Sequence, residues 1–202
     1  MGSAESLGAA INRSGAQYTV RMSPYAVRVY GDPVLRQVAQ EVDDVDGSLV
    51  RLVDDMVETM YDSEGAGLAA PQVGVQKRLF VYDVGDGPEA IVNPTIVEVA
   101  GEWYHDEGCL SIPGLRLGIV RPNQVHIRGY GLDGEEVSLE ADEFLGRVFL
   151  HEVDHLDGVL MVERLEDDVR KLALRVLRDR SLGLDTSAME AKLVSAGSER
   201  EV

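Results

Sequence analysis

Along residues 48–63, "SLVRLVDDMVETMYDS", apolar side chains recur at helical spacing (Leu49, Leu52, Val53, Met56, Val57 and Met60), with acids in the gaps. That period predicts an amphipathic helix with one face against a core. The loop "EGAGLAAPQVGVQK" then gives way to "RLFVYDV" (78–84), whose aromatic and β-branched residues predict a strand. Shorter strands are expected at "AIVNPTIVEVA" (90–100), "NQVHIRGYG" (123–131) and "EEVSLEA" (135–141), divided by Gly, Pro and Asn. Helical spacing returns in "ADEFLGRVFLHEVDHL", 141–156. A helix, several strands and a second helix predict an α+β fold, with antiparallel or mixed β-sheets packed around that second helix.

The two ends read differently. Residues 1–22 are small and polar without periodicity and predict a flexible N-terminal arm, leaving 23–165 as the domain. Residues 166–202 divide into a helix and a loose tail. In "DVRKLALRVLRDR" (168–180) leucines and valines alternate with Arg and Lys at near-helical spacing, whereas 183–202 offers a turn of helix at most, in "SAMEAKLV".

Composition narrows the functional classes. With 202 residues, 45% of them hydrophobic, the chain has material for one real core. Its 19 Lys and Arg face 36 Asp and Glu, a net charge of −17, which argues against a broad DNA-contacting face. No apolar run approaches the roughly 18 residues a membrane span needs. The start, "MGSAES", fits the short myristoylation pattern, but it lacks the basic and apolar regions of a secretory signal. A single cysteine, Cys109, excludes a disulfide framework and favours a cytoplasmic setting.

Chemistry concentrates in "HEVDH", 151–155. On a helix, Phe144, Val148, His151 and His155 share one stripe, and Leu145, Phe149, Glu152 and Leu156 share the next. Both imidazoles and the Glu152 carboxylate therefore point inward, where a carboxylate is costly unless it serves a polar site. Two histidines four apart suit a metal, and the neighbouring glutamate suits proton transfer to water. In "HEVDHLDGVLM" the position where one peptidase clan carries a third histidine holds Met161, a poor ligand for a hydrolytic zinc. An alternative reading is an HExxH zinc endopeptidase drawing its third ligand from Glu163 or Glu166, although no second helical motif presents either. The lone Cys109, in the irregular "EGCLSIPGLR", completes a Cys-His-His set with an open fourth position.

Three separated segments, "GAGLAAPQ" (65–72), "EGCLS" (107–111) and "HEVDH" (151–155), resemble in order and spacing the three signature motifs of the peptide deformylases. "GDPVLR" (31–36) is similar to that family's N-terminal segment. The glycines of "GAGLAA" also fit a dinucleotide fingerprint, but they follow a helix and run into Pro71, so that reading fails. The resemblance implies a metal-dependent hydrolase that removes the N-formyl group from formyl-methionyl polypeptides. Cys109, His151 and His155 would bind one divalent ion, Fe²⁺ foremost, with Zn²⁺ in purified protein. Glu152 would act as general base and then acid, and the Gln72 side-chain amide and Leu110 backbone N–H would steady the oxyanion. Backbone groups of Ala66 and Gly67 would align the peptide, with Arg116 further downstream. Phe144 and Val148, one turn apart on the ligand stripe, and His105 are candidates for the methionine pocket. Arg121 and Asp154 are a candidate pair between the ligand loop and the helix. Segment 168–180 is a candidate ribosome contact. One departure stands out: Leu150 precedes His151 where the family typically has Gln.

Overall fold

Residues 10–11, 17–18 and 24–198 are described by the structure, a computed structural model; most of the arm expected over 1–22, including its myristoylation-like start, lies outside the described residues. Within that arm Ala10–Ile11 (β1) pairs antiparallel with Gln17–Tyr18 (β2). The first expected helix spans Gly47–Asp62 (α1). It starts there because the Asp46 carboxylate accepts the amides of Ser48 and Leu49, two donors the first turn leaves open.

Seven further strands follow: Gly67–Ala69 (β3), Leu79–Tyr82 (β4), Glu89–Ala100 (β5), Trp103–Cys109 (β6), Ile112–Arg121 (β7), Gln124–Tyr130 (β8) and Glu136–Asp142 (β9). Five form one sheet in the order β3-β4-β5-β8-β9, while β6 and β7 form a separate ribbon. Among the described residues every paired strand is antiparallel, and an isolated parallel bridge joins Gln40 to Lys77. The ribbon occupies 103–121 and takes in residues 107–116, whose Gly, Ser and Pro predict an irregular turn next to strands.

All four residues of β4 are buried because the sheet is covered on both faces. Leu79 and Val81, with Leu68 and Val92, pack on Leu49, Val53, Met56 and Met60 of α1. Phe80 and Tyr82, with Ile91 and Ile127, meet the helix Glu143–Leu156 (α2) through Val148, Phe149, Val153 and Leu156. Phe149 is the pivot of that contact, edge-on to Tyr82 at 5.0 Å and tilted against Phe80 at 6.0 Å between ring centroids.

The ribbon is backed from its far side by the C-terminal region. Ile112, Leu115, Leu117 and Ile119 pack on Leu160, Met161 and Val162 and on Asp167–Ser181 (α3) through Val169, Ala173, Val176 and Leu177. The expected loose tail is corrected here: Ser187–Ser198 is a helix (α4) against α3 and β7, and Leu193 is only 2% exposed. Met189 and Leu193, one turn apart, supply the apolar stripe that docks it.

Replacing Phe149 by alanine should remove the ring that joins sheet and helix and lower unfolding stability by about 3–5 kcal/mol in a urea titration.

Candidate active site

Helix α2 presents His151 and His155 one turn apart, their rings edge-on at 4.9 Å. Cys109 is the last residue of β6, and its Sγ lies 3.2 Å from His155 Nε2. The sulfur and one nitrogen of each imidazole all fall within 4.8 Å of one another. This donor set fits a divalent ion: one thiolate and two imidazoles, spaced as ligands of a centre with bonds of roughly 2.0–2.3 Å would be, and a fourth position left to water or substrate. Nδ1 of His151 donates to Glu107 Oε1 at 2.6 Å, which turns its Nε2 toward the site.

Glu107 anchors more than one imidazole. It is 4% exposed, and Arg121 grips it twice, Nε to Oε2 at 2.7 Å and Nη2 to Oε1 at 2.6 Å. Arg147, on α2, adds a third contact at 3.0 Å and also donates to the Trp103 carbonyl. Arg121 Nη1 reaches Asp154 Oδ2 at 2.8 Å, so the expected pair forms, buried; Arg164 closes on Asp154 from the other side. Burial alone would raise the Glu107 pKa, but His151 and Arg121 hold it well below the usual carboxylate range. Burial likewise opposes charge on His151, yet the Cys109 sulfur and Glu107 keep its pKa well above the ordinary value. His155 moves the other way, well below, through burial and the neighbouring His151 charge. Imidazole ligates as the neutral ring, so an ion entering this site competes with a proton for His151.

A cleft of about 680 Å³ opens onto these groups. Ala66, Gly67, Gln72, Leu110, Arg116, Phe144 and Val148 all line it together with Cys109, His151 and Glu152. Gln72 is buried and oriented: its Oε1 accepts the Ala69 amide at 2.8 Å, and its Nε2 donates to Ser111 Oγ at 3.2 Å and lies 3.9 Å from Cys109 Sγ. The "GAG" glycines answer a packing demand. A Cβ on Gly67 would run into Glu152 Oε1, and one on Gly65 would meet Leu110 Cδ1 at 2.8 Å. Glu152 is 3% exposed, and its Oε2 has no hydrogen-bond partner among the described residues. Burial is the main cause that pushes its pKa up to about 7.

Two expectations are corrected. His105 is not among the residues lining the cleft; it is exposed, with its ring stacked on the flat face of Trp103 at 4.5 Å. The endopeptidase alternative loses its ligand, because Glu163 turns to Arg36 and the Leu160 amide and Glu166 is exposed at the head of α3. Glu107 and Arg147 went unread in the sequence. A carboxylate two residues before the cysteine on a strand shares its face, and that spacing was the available signal.

A sequence profile described as Polypeptide deformylase matches residues 24–171. The peptide deformylase of Clostridium botulinum is 51% identical over 138 residues, 68% of this chain and 94% of that protein. Among solved structures, the peptide deformylase from Thermotoga maritima is 45% identical with a TM-score of 0.69, covering 70% of this chain and 97% of its own. The peptide deformylase from Synechococcus elongatus in complex with actinonin is 38% identical with a TM-score of 0.75, covering 84% and 93%.

Glu107→Gln keeps the size but removes the charge behind His151, and metal affinity should fall about 10–100-fold in a competition titration with a chelator. The raised pKa of Glu152 means that the folded metal-free protein holds this proton more tightly than the unfolded chain does. Its stabilising contribution is therefore complete below the ordinary carboxylate pKa near 4.5 and lost as pH rises through about 7. Glu152→Gln mimics the neutral form at every pH. Metal-free variant and parent should be close in stability at pH 5 and diverge by on the order of 3 kcal/mol, variant higher, at pH 8. A gap that does not widen with pH would refute the assigned burial cost.

Proposed function

Because this chain belongs to the peptide deformylase family, we propose that it is the metal-dependent hydrolase that removes the N-formyl group from formyl-methionyl polypeptides, releasing formate and a free amine. The observation that carries this reading is the convergence of Cys109, His151 and His155 beside the buried carboxylate of Glu152. These three residues would hold one divalent ion, which when bound supplies a Lewis acid that acidifies water and polarises the formyl carbonyl.

Glu152 takes a proton from the water that attacks the formyl carbon and returns it to the amine nitrogen as the C–N bond breaks. A pKa near neutrality suits both halves of that transfer. Gln72 Nε2 and the Leu110 N–H donate to the carbonyl oxygen as it gains charge, each such donor typically worth about 10²–10³ in rate. The Ala69 amide on Gln72 Oε1 keeps the NH₂ turned toward Cys109, so the donor is set before substrate arrives. β3 ends the five-stranded sheet, and Ala66 and Gly67, at the entry to β3 and lining the cleft, offer an edge along which an extended peptide can lie. Phe144 and Val148 wall the methionine side chain, and Arg116 meets the chain beyond it.

Ferrous iron is the working metal in this reading, with Zn²⁺ taking its place in protein handled in air, since one thiolate and two imidazoles accept both. A ligand that must remain a reduced thiol suits the cytoplasm, and no helix among the described residues is long and apolar enough to cross a membrane. On α3 the outward residues include Lys171, Arg175 and Arg178, the candidate ribosome contact, though Arg175 and Arg178 both turn toward Asp179.

Anaerobically prepared, iron-loaded protein should release formate from a formyl-methionyl tripeptide. Glu152→Ala should keep its metal, measured by elemental analysis, while turnover falls by about 10²–10⁴. Metal-loaded parent that releases no formate would overturn the assignment.

A further inference from the structure

The hairpin that carries Cys109 is not a regular ladder. Cys109 pairs with Ile112 and Gly108 pairs with Arg116, so Pro113, Gly114 and Leu115 bulge out with no opposite residue on β6. All three line the cleft, between the Cys109–Leu110 corner and Arg116. A bulge leaves backbone carbonyls without ladder partners, and here a residue from α3 takes them. Arg180 Nη1 donates to the Pro113 carbonyl at 2.8 Å and Nη2 to the Gly114 carbonyl at 3.4 Å. The guanidinium lies across Gly114, whose φ of +73° favours glycine, and a Cβ there would meet both Nη atoms at 3.8 Å.

Arg180 is itself held. Its Nε donates to Glu190 Oε1 at 2.9 Å, and the same oxygen accepts the hydroxyl of buried Thr186. Thr186 immediately precedes α4 and Glu190 lies in its first turn, and α4 is docked on α3 and β7 through Leu193. Arg180, Thr186 and Glu190 all lie beyond residue 171, where the match to the deformylase profile ends.

We propose that Arg180 is a positioning residue: from the C-terminal helices it splints the 113–115 bulge and so sets how firmly the cleft takes the peptide chain downstream of its first residue. The role in substrate recognition rests on the deformylase reading above; the splint does not. In that reading, with Arg116 meeting the chain beyond the first residue, a formyl peptide of three or more residues would run along Gly114–Arg116 in the cleft wall, whereas a formyl-methionine amide would end before them. The bidentate grip needs a planar fork, so a lysine ammonium, a single point of donation, replaces only part of it.

The test compares parent, Arg180→Ala, Arg180→Lys and Glu190→Gln, iron-loaded, on a formyl-methionyl tripeptide and on formyl-methionine amide. Arg180→Ala should raise KM for the tripeptide about tenfold with kcat and the amide's kinetics little changed, Glu190→Gln less so, and Arg180→Lys should recover part of the loss. Hydrogen exchange read in parallel should show amides of 114–117 exchanging faster in Arg180→Ala while those of β8 keep the parent rate. Unchanged tripeptide KM, or equal loss on both substrates with a lowered melting temperature, would overturn the recognition role. Unchanged exchange at 114–117 would overturn the splint, and this arm needs no turnover. A parent that releases no formate fails the deformylase reading and the recognition role with it, while the exchange result still decides the splint.

Discussion

One buried negative charge organises this molecule. An ionised carboxylate away from water costs several kcal/mol unless fully partnered, and Glu107 is met by two arginines and an imidazole. Those partners come from different places: Arg121 from the ribbon, Arg147 and His151 from α2. Satisfying Glu107 therefore forces the ribbon against the helix in a single register. That register brings a cysteine at the end of one strand to two histidines more than forty residues further along. Removing any one partner leaves a charge stranded, so the network is a geometric lock more than a source of net stability.

The lock explains why α2 is built with two working sides. Val148, Phe149, Val153 and Leu156 face the sheet, held by aromatic contacts with β4. Arg147, His151 and Asp154, spaced four and three apart, face the ribbon and are polar. His155 and Glu152 fall where these two sides meet. Apolar packing on one side fixes the helix, and charge matching on the other fixes what approaches it.

Much of this was legible before any coordinates. The 3.6-residue period marks α1 and α2, and β-branched and aromatic content marks β4. The helical wheel places His151, Glu152 and His155 toward the interior, where all three are buried. The ribbon was not legible, because "WYHDEGC" alternates poorly and carries Asp, Glu and Gly, which isolated strands disfavour. Its strand character comes from tertiary demands on Glu107, Arg121 and a backing layer of α3 and α4. α4 was read as no more than a turn for a similar reason: among the described residues its docking side chains are Met189 and Leu193, and the helix holds because a partner surface exists. His105 looked like a pocket residue by proximity to Cys109 in the chain, which says nothing about the direction of a strand side chain.

The wall that Gly67 gives the cleft has a bearing on blockade. Because any side chain there collides with Glu152, this surface cannot be redecorated by substitution without disturbing the group that moves the proton. A small molecule that takes its main grip on that bare backbone, rather than on Phe144 or Arg116, leans on a patch where escape variants have nowhere to go.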